Sequence, residues 1–197
     1  MSAGISTGDI DLVNNYWSKY VDGFVFDDLT RGIDLAKANY LVALGEMCYI
    51  DYFGKLMRGR SGAYRNFTGF IKAYLPQYTA DANALYVDVR SGLAHAYFPD
   101  NIEIIGVTRA SAENAIWRDA GKWKIAVKDF IDELRKGSDA LKVDLLNGVH
   151  LREFKRVVRM NPGTARILPP PPAPAGAPPT PTTGSMGSSS VSSSRIL

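Results

Sequence analysis

Only two histidines occur in the 197-residue chain, His95 and His150, and the first has informative neighbours. It stands in VRSGLAHAYFPD, with Arg90 five positions before it and Tyr97 two after. An imidazole that titrates near neutral pH, a permanent cation and a phenol thus share one short stretch. Such a set can cleave RNA without a metal. The 2′-hydroxyl loses its proton and attacks the adjacent phosphorus in line. A histidine takes that proton or supplies one to the leaving oxygen. An arginine holds the phosphate bidentately and offsets the charge growing on its oxygens. The plainer alternative is a histidine packed against its own bundle and an arginine in solvent.

Spacing limits how the pair can act. At about 100° per residue, five steps leave Arg90 and His95 roughly 140° apart around a regular helix. Either the helix is distorted at Gly92, or a second copy completes the site across a two-fold axis. The dimer is the favoured expectation.

The string RSGLAHAYFP, at the end of a late helix in a small bundle, resembles the HEPN superfamily, whose hallmark is arginine, four to six residues, then histidine. Four intervening residues, followed by one residue and tyrosine, look like the HepT-type version. The resemblance implies a metal-independent endoribonuclease of single-stranded RNA, acting as a homodimer in a toxin–antitoxin or phage-defence setting. Arg90 and His95 would be catalytic. Tyr97 would match a tyrosine that a cognate nucleotidyltransferase antitoxin can modify with AMP. Ser91 stands where the family often has asparagine, aspartate or histidine, so its support is limited to a hydroxyl. The family also includes non-catalytic modules, which gives the alternative of a helical domain that binds nucleic acid or a partner protein.

Further residues invite roles around this centre. Glu46 lies on an otherwise apolar helical face, where a buried acid could orient Arg90 or tune His95. Asp88 could approach the same site, whereas Asp51 reads as a surface acid. His150 sits in GVHLREFKRVVR, where Arg152, Lys155, Arg156 and Arg159 form a candidate RNA-binding stripe, or simply a solvated helix end. Lys55, Arg58, Arg60 and Arg65 make a second basic cluster. Cys48 reads as core, and packing is the default for Trp17, Trp117 and Trp123, which could otherwise stack on bases. No Gly-rich phosphate loop, H-E-x-x-H or credible Ser-His-Asp pattern is present, so no metal or other cofactor is expected.

The elements that must position these residues follow from periodicity. Three- and four-residue apolar steps predict helices at Asp9–Asp22, Asp28–Met57, Ala63–Leu75 and Asp81–Phe98, the last stopped by Pro99. Ile102–Val107 and Lys122–Val127 read as the two strands of a long-looped hairpin inserted at about 102–127. A last helix follows, broken near Gly137-Ser138. The expected fold is mainly α, a HEPN-like bundle of four to five helices with a β-hairpin insertion, spanning residues 1–168.

Residues 169–197 hold eight of the eleven prolines, seven serines and one charge, and should be a disordered tail. The other 168 residues carry 22 basic against 20 acidic side chains, enough chain for one core. A single cysteine excludes a disulfide framework. The start of the chain lacks the pattern of a secretory signal, and no apolar run reaches the ~18–20 residues that span a bilayer. A cytoplasmic location, with no membrane partner, is the expectation.

Overall fold

The computed structural model describes residues 5–96, 99–106 and 114–160, which are mainly helical with a small three-stranded sheet. Helix α1 (Thr7–Tyr16) starts at Ser6. The Ser6 hydroxyl accepts the Asp9 amide at 3.2 Å and donates to Asp9 Oδ2 at 2.8 Å, closing the first turn. A segment with wide, π-helical turns (Trp17–Phe26) and helix α2 (Asp27–Asp34) continue it. Val13, Trp17, Val21, Leu29 and Ile33 on these turns are buried.

The long helix expected from Asp28 to Met57 is broken. The chain turns at 35–38, where Lys37 takes a φ of 53°, and helix α3 (Asn39–Arg58) begins afresh. Leu35, Ala36, Lys37 and Ala38 are good helix formers, so propensity did not cause the break. Packing did: α2 lies back on α3, with Leu29 and Ile33 buried beside Val42 and Ala43. A Cβ at Gly32 would come within 2.6 Å of the Val42 side chain.

Helix α4 (Ala63–Tyr74) matches its expected span and buries Phe67, Phe70 and Ile71. It crosses α3 so closely that any Cβ at Gly54 would run into the Asn66 carbonyl. Rings from several elements join here: Phe26 stacks on Phe53 at 6.4 Å and Phe53 on Phe70 at 5.4 Å.

The fourth predicted helix is three pieces in one run: α5 (Ala82–Ala84), a π-helical turn (Leu85–Arg90) and α6 (Ser91–His95). It ends at Ala96, already extended, rather than at Phe98. Pro99 and Ile102 fold back over Gly92, which takes the chain off the helix axis early.

The expected hairpin is also corrected. Strands β2 (Ile116–Asp119) and β3 (Lys122–Ala126) form a tight antiparallel hairpin, turning through Ala120 and Gly121, both at positive φ. Strand β1 (Ile102–Ile105) pairs with β3 in parallel, Ile102 beside Trp123 and Ile104 beside Ile125. The order is β1-β3-β2, with β3 central.

Helix α7 (Val127–Leu146) runs unbroken through Gly137-Ser138. Gly137 is a packing glycine against the Tyr74 carbonyl, and the Ser138 hydroxyl donates to the Arg135 carbonyl at 2.8 Å. The break falls later, at 147–150, where Gly148 and His150 have φ of 84° and 59°. Helix α8 (Leu151–Met160) then packs on α3 through Phe154 and Val157. Tyr97, Phe98 and the proline- and serine-rich residues 169–197 lie outside the described residues.

Candidate functional site

Arg90 ends the π-helical turn, and its guanidinium is held by Asp51 of α3. Nε donates to Asp51 Oδ2 at 3.1 Å, and Nη2 lies 3.0 Å from the same oxygen in the ion pair. Both side chains are largely covered, and the Arg90 guanidinium also sits 5.7 Å from the centre of the Tyr86 ring. Burial raises the Asp51 carboxyl above its ordinary pKa, more than the attraction of Arg90 lowers it. Asp51 is therefore no plain surface acid. Its Oδ1 is buried with no hydrogen-bond partner among the described residues.

His95 lies at the far end of α6, exposed, without a hydrogen bond or ion pair among the described residues. The backbone between Arg90 and His95 is regular α-helix, and the wide turns precede Arg90 rather than falling at Gly92. The ~140° separation expected of a five-residue step therefore stands. The two side chains do not touch within one copy of the chain.

The supporting residues go elsewhere. The Ser91 hydroxyl donates to the Tyr86 carbonyl at 3.0 Å, a bond within its own helix. Asp88 accepts from Arg118 Nη2 and from the Trp123 indole, each at 3.1 Å, and so anchors the sheet rather than the Arg90 region. Glu46 is fully buried, and neither carboxylate oxygen has a partner among the described residues. Burial first, and Glu133 second, push its carboxyl well above the ordinary range. It does not orient Arg90.

Cys48 is exposed, contrary to the expectation of core. Leu41, Leu44, Cys48 and Asp51 share one stripe of α3, but the buried stripe is Val42, Ala43, Glu46, Met47 and Ile50. Leu41 is 57% exposed and Val87, three residues before Arg90, is 60% exposed. The Arg90–Asp51 pair thus has exposed apolar side chains on both elements that carry it. Trp17 and Trp123 are buried, so stacking on bases is closed to them.

The two basic clusters of the sequence converge except for Arg65, which is exposed on α4 and lines none of the clefts that follow. Three clefts of about 900, 670 and 550 Å³ surround α8 and the turn between α3 and α4. Arg152, Arg156 and Arg159 come from α8, while Lys55, Arg58 and Arg60 come from the end of α3 and its turn. Arg156 lines all three clefts. His150 and the acid Glu153 line the middle one. Lys155 differs from its neighbours: its ammonium donates to Asp9 Oδ1 at 2.6 Å, and that bond, with Ser6 second, holds the Asp9 carboxyl below its ordinary pKa. None of the other six cations forms an ion pair among the described residues.

Gly59 joins the two clusters. It caps α3 at a φ of 66°, and a Cβ there would stand 3.1 Å from Glu153 Cα. Glycine lets the basic turn sit this tightly on α8, where a side chain would force a shift of a few tenths of an ångström.

No family model matches the chain, and neither a curated protein nor a solved structure matches it. Among the described residues, no three His, Cys, Asp or Glu side chains are placed to hold a metal ion. No helix among them is long and apolar enough to cross a membrane.

Proposed function

We propose that the chain is a HEPN-like endoribonuclease whose site is completed across a two-fold dimer, with Arg90 as phosphate clamp and His95 as general acid/base. The observation that carries this reading is the anchored guanidinium. Asp51 fixes Arg90 through Nε and Nη2, leaving Nη1 for a phosphate oxygen. His95 is exposed on the same helix but turned away, so a partner copy's imidazole is the one that can face the clamped phosphate.

In the reaction, the imidazole takes the 2′-hydroxyl proton as that oxygen attacks phosphorus. The bond to the 5′-oxygen breaks, the leaving oxygen gains a proton, and a 2′,3′-cyclic phosphate remains. Val87, three residues before Arg90, and Cys48, three before Asp51, supply exposed surface beside the pair for the second copy to cover. A toxin–antitoxin or phage-defence role belongs to this reading, as does a nucleotidyltransferase-type antitoxin acting on Tyr97.

One observation favours a second reading, a non-catalytic module that binds nucleic acid or a partner protein. Asp51 offsets the charge of Arg90, and no described side chain orients the His95 ring.

The deciding experiment incubates the wild type, Arg90→Ala and His95→Ala with single-stranded RNA in EDTA. Chelator-resistant cleavage leaving cyclic phosphate, lost in each variant, supports the enzyme. Mixing the two variants should restore about a quarter of wild-type cleavage if each site draws on both copies. Cleavage that persists in both variants removes the assignment, and binding without cleavage selects the second reading.

A further inference from the structure

The basic clefts around α8 stand apart from Arg90 and His95, neither of which lines them. We infer that they form one continuous binding track for the sugar–phosphate backbone of a nucleic acid, centred on Arg156. This inference does not rest on the ribonuclease reading.

Charge composition is the first argument. Six cations converge, five of them arginines: Arg58, Arg60, Arg152, Arg156 and Arg159, with Lys55. Of the carboxylates in the lining, Asp9 is bound to Lys155, which leaves Glu153 as the single uncommitted acid. Arginine's planar fork suits phosphate oxygens, and cations without carboxylate partners have no competing ligand to displace.

Shape is the second. Arg152, Arg156 and Arg159 follow one another along the exposed side of α8, rising about 10 Å over seven residues. Arg58 and Arg60 face them from the α3–α4 turn, so the cations line the walls of a groove rather than a flat patch. A groove of that length accommodates several phosphates in succession.

An anionic membrane is the other polyanion to consider, and the helix argues against it. Of the apolar residues of α8, Phe154 and Val157 are buried and Leu151 and Val158 pack against the core, so Met160 alone is exposed and the helix has no apolar face to insert between lipids.

Fluorescence anisotropy on the full chain tests the track, using labelled single-stranded RNA, single-stranded DNA of the same sequence and a DNA duplex. Co-sedimentation with phosphatidylserine vesicles is run beside it. At least one nucleic acid should bind, with affinity falling log-linearly as salt rises. Arg156→Glu and Arg60→Glu should each weaken it tenfold or more and flatten the salt slope by about 0.7 for every single-strand phosphate no longer neutralised. Lys72→Glu, the same charge change on exposed α4 surface outside the clefts, should leave binding intact. Circular dichroism melts confirm that the variants are folded.

Similar affinity for RNA and DNA identifies the shared backbone as the ligand, and a preference for one names the source; both support the inference. Absence of binding, binding that survives both cleft variants, or binding to vesicles alone overturns it. Nucleic acid bound through Arg156 but never cleaved leaves this inference standing while the ribonuclease reading falls. Cleavage that ignores Arg156 and Arg60, with binding unchanged, does the reverse.

Discussion

One oxygen of Asp51 accepts the Nε–H of Arg90 at 3.1 Å and stands 3.0 Å from Nη2, while the other oxygen of the same carboxylate is buried with no partner among the described residues. The pair is therefore unequal. Arg90 is fixed in direction, and its attraction opposes the burial that raises the Asp51 carboxyl.

Removing the guanidinium should accordingly cost more than removing the pair. Arg90→Ala leaves a half-buried carboxylate unpaired, a loss of about 1–3 kcal/mol. Asp51→Ala combined with Arg90→Ala should lose less than the sum of the single changes. Without Arg90 the Asp51 pKa rises further above its ordinary value, so the native state binds a proton that the unfolded state releases. The Arg90→Ala penalty should then be smaller at pH 5 than at pH 8. Urea denaturation at both values checks it, and a pH-independent penalty would refute the dependence.

Glu46 sets a pH dependence of its own. Its folded-state pKa is raised, chiefly by burial, above an ordinary value near 4.5. The stability it allows is complete below that value and is lost as pH rises toward the native pKa, by about 1.4 kcal/mol per unit in that window. Glu46→Met removes the titrating group while keeping an apolar volume. The variant should melt above the wild type at pH 8, with the gap narrowing toward pH 5. Thermal melts across that range test it, and an equal gap throughout would contradict the assignment.

Gly59→Ala should be costly for two separable reasons. The positive φ disfavours a side chain by about 1–2 kcal/mol, and the new methyl presses on the Glu153 backbone. Melting should drop, and nucleic-acid affinity should drop with it, because α8 must move away from Arg58 and Arg60. An alanine variant that is destabilised but binds as wild type would show that the two clusters need not be held together.

Tyr78 ties the sheet to α7. Its hydroxyl donates to Glu133 at 2.5 Å and accepts the Ile116 amide at 3.0 Å, while Glu133 also takes the Ala115 amide at 3.0 Å. Tyr78→Phe leaves a buried amide unmet, a loss of about 1–3 kcal/mol. Hydrogen exchange should show it locally as faster exchange at Ile116. Unchanged protection there would mean that β2 does not rely on this phenol.

Much of the helical layout is legible in the residues, because apolar spacing survives folding. Ala63–Leu75 is the clearest case: Phe67, Phe70 and Ile71 face the core as their period requires. The turn at 35–38 is not legible, because it comes from α2 folding onto α3, a tertiary effect opposed to local propensity. Gly137 and Gly148 show the same limit. A glycine that admits a neighbouring backbone and one that ends a helix look alike in a sequence.

The candidate site is legible in its residues but not in their partners. Arg90 and His95 are evident from composition and spacing, but nothing marks Asp51, 39 positions earlier, as the group that fixes the guanidinium. The exposure of Cys48 is hidden because Leu41, Leu44 and Cys48 imitate a buried stripe. The two basic clusters are each visible, and only the packing of α3 on α8 brings them face to face.

The bond from Lys155 to Asp9 links the first helix to the last described one, and Asp9 is itself held by the Ser6 hydroxyl that caps its helix. Trimming the polypeptide ahead of residue 10, or fusing a bulky tag that unwinds that opening turn, would therefore act at a distance. An extra ammonium would be released beside the arginine track, and α8 would lose a tether. The leading residues thus govern how much positive charge α8 presents.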